Sequence, residues 1–183
     1  MAAESSTQSS MSRSDLDLAP RTIVDRYRIE RLLGRGGMAS VYRVRHLELG
    51  SLHALKVVDT PNDQMRKRLV QEGRVQARLS HPNVVRVTDV VRVGGRPGLV
   101  LEYVAGPTLG ELLRDRKLTL EQVDHIVVGI LRGVEVAHGL GFAHRDLKPG
   151  NILLAHTPDG VVPKVADFGL AKVLEGTGLD STR

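Results

Sequence analysis

Apolar residues are sparse up to Leu16 and then gather into short runs divided by turn formers. Residues 27–33, 40–45 and 52–59 are rich in Val, Ile, Leu or Tyr and are separated by glycine-containing stretches. That pattern predicts three consecutive antiparallel strands. The spacing then lengthens. Met65, Leu69, Glu72, Val75, Gln76 and Leu79 fall near one stripe at helical period, predicting a helix over residues 62–80 that His81-Pro82-Asn83 stops. Residues 84–93 and 99–104 read as two more strands, flanking the turn Gly94-Gly95-Arg96-Pro97-Gly98.

Gly106-Pro107 breaks the chain, and the pattern beyond it is different. Residues 108–116 predict a short helix. Thr119 with Gln122 three residues later forms a capping box, opening a long helix that runs to about residue 140. Residues 152–154 and 161–166 predict a small hairpin. The expected class is α+β, with a mostly β half of five strands and one helix, a hinge near residues 102–107 and a mostly helical half. No internal repeat is evident. Residues 1–20, which carry Ser5, Ser6, Ser9, Ser10, Ser12 and Ser14, read as a flexible tail.

Composition narrows the possibilities. Of 183 residues, 41% are hydrophobic, enough for a globular core, but aromatics are only 3%, so the core must rest on Leu, Val, Ile and Ala. The absence of cysteine excludes disulfides, thiolate catalysis and cysteine-based zinc sites. A net charge of +5 raises the question of nucleic acid. Yet the basic residues are interleaved with acids, and the chain offers almost no aromatic surface for base stacking, so nucleic-acid binding is not expected. No apolar run approaches the ~18 residues that span a bilayer, and no signal peptide is evident. A cytoplasmic location is the expectation.

Four local signals carry chemistry. Leu33-Gly34-Arg35-Gly36-Gly37-Met38-Ala39-Ser40-Val41 sits at a strand–turn–strand, where glycines let backbone N–H groups run close over phosphates. By itself a Gly-rich hairpin is an ordinary turn. Lys56 lies in an apolar strand, and Glu72 on the following helix is a natural partner for it. The third signal is His144-Arg145-Asp146-Leu147-Lys148-Pro149-Gly150-Asn151, and the fourth is Asp167-Phe168-Gly169 at the end of an apolar strand. At ~5% usage per residue type, a chance match to the His, Arg, Asp, Lys and Asn spacing is on the order of 10⁻⁴ for this length.

In this order and on these elements, the four signals closely resemble the catalytic domain of eukaryotic-type protein kinases, over residues 21–183. Lys148 resembles the serine/threonine subfamily, and the glycine-loop wording resembles bacterial members. The resemblance implies a bilobal fold: an N-lobe over residues 21–104 and a partial, mainly helical C-lobe over 105–183. It implies ATP and Mg²⁺ as cofactors and protein Ser or Thr hydroxyls as substrate. Gly34 to Val41 would cover the phosphates, with Leu33 also in the ATP site. Lys56, anchored by Glu72, would hold the α- and β-phosphates. Adenine would lie between Val41 and Ala54 above and Leu153 below, its edge bonded by the backbone of Glu102 and Val104, with Leu101 behind. Asp146 would accept the substrate hydroxyl proton, Lys148 would counter γ-phosphoryl charge, and Asn151 and Asp167 would ligate Mg²⁺. Arg145 would pair with a phosphorylated Thr177, Ser181 or Thr182.

Two departures stand out. Ala39 occupies the place of a third glycine. Gln76, four residues past Glu72, stands where the family packs an apolar side chain against Phe168, and a polar group there is expected to loosen the helix. The sequence given stops at Arg183 within the activation loop, so marginal stability and poor activity toward protein substrates are expected of this polypeptide. A non-catalytic nucleotide-binding module and a small-molecule kinase of the aminoglycoside or choline type are the competing readings. The intact Lys56, Glu72, Asp146, Asn151 and Asp167 argue against the first, and Arg145, Lys148 and Asp-Phe-Gly against the second.

Overall fold

The computed structural model describes residues 18–36, 39–58, 67, 70, 73–74 and 76–168. Six strands form one antiparallel sheet: β1 (Ile23–Val24), β2 (Tyr27–Arg35), β3 (Ala39–His46), β4 (Leu52–Val58), β5 (Val87–Val93) and β6 (Arg96–Glu102), in the order β1-β2-β3-β4-β6-β5. Period-two alternation builds this sheet. Along β3, Ser40, Tyr42, Val44 and His46 are buried, while Val41, Arg43 and Arg45 between them are only partly so. Tyr42 and Val44 join Tyr27, Ile29, Leu55, Val57, Val91 and Val100 in one core. Val41 pairs directly with Lys56 across β3 and β4, which puts both on the opposite face.

The sheet has one strand more than the five expected, because two-residue β1 is too short to show a period. The strand expected from residue 84 begins at Val87. Val84 and Val85 leave the sheet and bond to β8 (Gly160–Val165): Val84 forms a parallel bridge to Val165, and the Val85 N–H donates to the Val165 carbonyl at 2.8 Å. Of the helix expected over residues 62–80, residues 67, 70, 73, 74 and 76 are helical, whereas Ala77 and Arg78 form a turn and Leu79 and Ser80 are irregular, so the helix ends short of residue 80.

Beyond the sheet come α1 (Leu109–Asp115), α2 (Leu120–Gly139), a 3₁₀ turn (Pro149–Asn151), and the hairpin of β7 (Ile152–Thr157) with β8. Both helices open on reciprocal capping boxes. The Thr119 hydroxyl accepts the Gln122 N–H at 3.2 Å, and the Gln122 side chain accepts the Thr119 N–H at 3.1 Å. Thr108 and Glu111 make the same exchange at the start of α1. One face of α2 buries Ile126 and Ala137 in a second core with Leu109, Ile152, Leu154, Val165 and Phe168. On α2, Leu120, Val123, Val127 and Leu131 are exposed. Among the described residues no helix is long and apolar enough to cross a membrane.

The sheet and the hairpin are joined at a close approach. The Asn83 carbonyl accepts the Val165 N–H at 2.8 Å, and its side-chain amide donates to the Pro163 carbonyl at 2.8 Å. Gly129 and Gly133 of α2 make room for this: a Cβ at Gly133 would lie 2.6 Å from the Asn83 carbonyl oxygen. The Asn83 segment thus links the halves in addition to the stretch of chain after β6.

Candidate active site

Between the sheet and the hairpin lies a cleft of about 470 Å³. Leu33, Gly34, Val41, Ala54 and Lys56 form its roof, Val85, Leu101, Glu102, Tyr103 and Val104 its back, and Asn151, Leu153, Ala166 and Asp167 its floor. Apolar side chains above and below, Val41 and Ala54 against Leu153, suit a flat ring, and Lys56, Asn151 and Asp167 add polar groups to the same lining. At Gly106 a Cβ would stand 1.9 Å from the Leu154 carbonyl oxygen, so only glycine lets the connecting chain pass this close. Size alone does not single out the cleft, since a hollow of about 560 Å³ lies between α1, α2 and the hairpin. Chemistry does.

Three groups of the loop before β7 meet. The Lys148 ammonium lies 2.7 Å from Asp146 Oδ2. The Asn151 amide nitrogen donates to the same oxygen at 3.1 Å and to the Asp146 carbonyl at 2.8 Å. The Lys148 hydrogen bond, helped by the Asn151 bond, holds the Asp146 carboxyl below the usual carboxylate range. Asp146 is thus an ionised acceptor at neutral pH.

A second pair lies deeper. Lys56, 8% exposed, places its ammonium 2.7 Å from Asp167 Oδ1. A buried ammonium needs such a partner. Asp167 reaches it from a left-handed backbone, φ 63°, uncommon for a residue with a Cβ. Its neighbours are tied on both sides. The Ala166 N–H donates to the Asn151 carbonyl at 2.8 Å, and Ala166's own carbonyl faces His144 Nε2 at 2.7 Å. Phe168 is buried with its ring 4.8 Å from that of His144, and the Gln76 side-chain amide donates to its carbonyl.

His144 connects the two pairs. Its Nδ1 accepts the Asp146 N–H at 3.3 Å, so Nε2 carries the proton and donates to Ala166. Sequence reading gave this residue no role of its own. Its place in an Arg-Asp loop straight after an apolar helix was the available signal. Val85, Tyr103, Gly106 and Ala166 also line the cleft without having been singled out, since a lining made partly of backbone leaves no side-chain signature. Lys164, 2.8 Å from the Glu102 carboxylate, ties β8 to the end of β6.

Of the residues expected in the site, Leu33, Gly34, Val41, Ala54, Lys56, Leu101, Glu102, Val104, Asn151, Leu153 and Asp167 line one cleft. Asp146 and Lys148 adjoin it through Asn151. Arg35, Gly36, Ala39 and Ser40 lie at the β2–β3 tip, where the Gly36 N–H bonds the Ala39 carbonyl at 2.8 Å, and they are not part of the lining. Arg145 is exposed beside Asp146, at φ 66°. Gly37, Met38, Glu72, Thr177, Ser181 and Thr182 lie outside the described residues, so the partner shown for Lys56 is Asp167.

Comparison with known proteins points the same way. The family described as protein kinase domain matches residues 27–182. A probable serine/threonine-protein kinase of Streptomyces coelicolor is 39% identical over 172 residues, which is 90% of this chain and 25% of the relative. Pkn3 of Myxococcus xanthus, a serine/threonine-protein kinase, is 39% identical over 86% of this chain and 30% of its own length. The chain thus spans between a quarter and a third of these relatives. The crystal structure of the Mycobacterium tuberculosis PknI kinase domain superposes with a TM-score of 0.73 at 30% identity, covering 89% of this chain and 71% of that one. With a family match over most of its length and a fold that superposes on that kinase domain, the chain belongs to the protein kinase family.

Proposed function

We propose that the chain is the ATP-binding and phosphoryl-transfer part of a serine/threonine protein kinase that acts on proteins in the cytoplasm. The observation that carries this reading is the convergence of Lys56–Asp167 and Asp146–Lys148–Asn151 at one cleft. Adenine lies between Val41, Ala54 and Leu153, with Leu101 behind it and the backbone of Glu102 and Val104 at its edge. Gly34 to Val41 fold over the phosphates, and Lys56 binds the α- and β-phosphates with Glu72 as its anchor. Asp146, ionised through its bond to Lys148, orients a Ser or Thr hydroxyl and takes its proton. Lys148 then offsets charge on the γ-phosphoryl group.

The polar lining of the cleft fits Mg²⁺. Asn151 spends its amide nitrogen on Asp146, leaving Oδ1 as a hard oxygen donor, and Asp167 supplies a carboxylate on the same floor. When bound, the ion would neutralise charge on the transferring phosphates. Arg145 pairs with a phosphate on Thr177, Ser181 or Thr182 to order the loop after Asp167.

The test is calorimetric ATP titration of the purified chain with and without Mg²⁺, followed by transfer of labelled phosphate to a basic carrier protein. Binding should strengthen with Mg²⁺, and Asp146→Asn should abolish transfer while sparing binding. Transfer that survives Asp146→Asn, or ATP binding indifferent to Mg²⁺, would sink the proposal.

A further inference from the structure

Gln76 is 7% exposed, and its amide nitrogen donates to the Phe168 carbonyl instead of leaving a polar group against the Phe168 ring. The helical residues around it are seated at one point of the sheet. A Cβ at Gly73 would lie 2.6 Å from Leu99 Cδ2, so the backbone there presses onto β6. Leu99 is also the cross-strand partner of Lys56. The same spot on the sheet therefore seats Gly73 and carries Lys56. From it two side chains reach the Asp167-Phe168 step: the Lys56 ammonium takes the Asp167 carboxylate, and the Gln76 amide takes the next carbonyl.

Asp167 needs that double grip. Its left-handed φ of 63° is a strained setting for a residue with a Cβ, and such a setting persists only where the surroundings over-determine it. His144 and Asn151 fix Ala166 on the preceding side. Among the described contacts, the following side is held by burial of the Phe168 ring and by the Gln76 bond. We propose that Gln76 is a positioning residue that fastens the Phe168 carbonyl to the sheet-seated helix and so holds the Asp167 carboxylate in place to receive a metal ion. The departure expected to loosen the helix thereby becomes a polar latch, coupling the helix to the metal-ligand residue. This inference rests on the reading of Asp167 as the Mg²⁺ ligand.

The test uses the full chain and two substitutions: Gln76→Met, which keeps length and volume without a donor, and Gln76→Glu, which puts an acceptor where the donor was. ATP affinity is measured with Mg²⁺ and with chelator, and amide exchange is followed over residues 164–168 without ligand. One lost hydrogen bond should reduce the Mg²⁺-dependent gain in affinity about tenfold in Gln76→Met and further in Gln76→Glu. Chelator-state affinity should stay within about twofold, because the adenine walls are untouched. Exchange at residues 166–168 should quicken about tenfold. Unchanged Mg²⁺ dependence with unchanged exchange in Gln76→Met overturns the proposal, as does an equal loss with and without Mg²⁺. If Gln76→Met does not fold, Gln76→Asn, which withdraws the amide by one methylene, is expected to show the same selective loss. Should the wild-type chain bind ATP without regard to Mg²⁺, the metal-ligand reading fails, while the exchange comparison still decides whether Gln76 holds the segment.

Discussion

Replacing Gly133 by alanine sets two opposing effects against each other. In the middle of a helix, alanine is favoured over glycine by about 1 kcal/mol. At this position, however, the new Cβ would stand 2.6 Å from the Asn83 carbonyl oxygen, about 0.8 Å short of ordinary 3.4 Å contact. Backbone cannot rotate away as a side chain can, so α2 must retreat from Asn83 or push it. Overpacking of this kind costs about 1–3 kcal/mol. The Asn83 carbonyl also accepts the Val165 N–H, and the Asn83 side chain holds Pro163, so part of another hydrogen bond, about 1 kcal/mol, is at risk. The net expectation for Gly133→Ala is a loss of about 2 kcal/mol, a fall in Tm of about 4–8 °C for a chain of this size. Gly139→Ala, at the end of the same helix with nothing within 4 Å of its Cβ, should stay within about 0.5 kcal/mol of wild type. Urea unfolding of the three proteins decides it. A Gly133→Ala chain as stable as wild type would show that helix propensity outweighs the crowding and that α2 does not approach Asn83 as described.

Other outcomes follow from the same geometry. Asn83→Ala removes the bond to Pro163 and should lower stability by about 1–2 kcal/mol; combined with Gly133→Ala the losses should fall short of additive, as a double-mutant cycle would register. Thr119→Ala deletes the hydroxyl half of the α2 capping box and should cost about 1 kcal/mol in urea unfolding, while Thr157→Ala on the exposed hairpin end should cost less than half of that. Burial and the neighbouring Asp89 raise the Tyr27 hydroxyl from 10.0 to about 12. Because the folded value lies above the unfolded one, the stability it contributes is present below pH 10 and is lost as pH rises toward 12. Absorbance titration at 295 nm should find one tyrosine ionising near pH 12, and Asp89→Asn should bring that step to lower pH.

The sequence made the strands, the His144–Asn151 and Asp167-Phe168-Gly169 motifs and the α2 cap readable because each is a local pattern. Alternation in β3 and the Thr119–Gln122 spacing are properties of a few consecutive residues. What it could not reveal was which apolar residues change sides. Val84 and Val85 continue the pattern of β5, yet they bond to β8, since hydropathy does not record which neighbour's N–H groups are vacant. Gln76 shows the same limit in polar form. Its departure from an apolar position was visible, but the carbonyl that makes it tolerable comes from 92 residues away. Proximity in the cleft, likewise, was legible for side chains with fixed roles and hidden for Gly106, whose part is to have no side chain at all.

His144 offers the sharpest check on how the two acidic loops are held together. Arg145 and Asp167 both adopt left-handed backbones without being glycine, at φ 66° and 63°, so each loop is locally unfavourable. One ring spans them, accepting the Asp146 N–H on one nitrogen and donating to the Ala166 carbonyl with the other. His144→Phe keeps a ring of similar size against Phe168 while deleting both bonds. Two hydrogen bonds at about 1 kcal/mol each put the expected loss near 2 kcal/mol, with the Ala166 carbonyl deprived of its side-chain donor. If the ring is the link, amide exchange should quicken together in residues 145–151 and 165–168, and the Lys56–Asp167 and Asp146–Lys148 pairs should lose their mutual spacing. Were only one of the two segments to loosen, His144 would be packing for that loop alone. The alignment of the acids would then have to come from the Ala166–Asn151 bond and the β7–β8 ladder beside it.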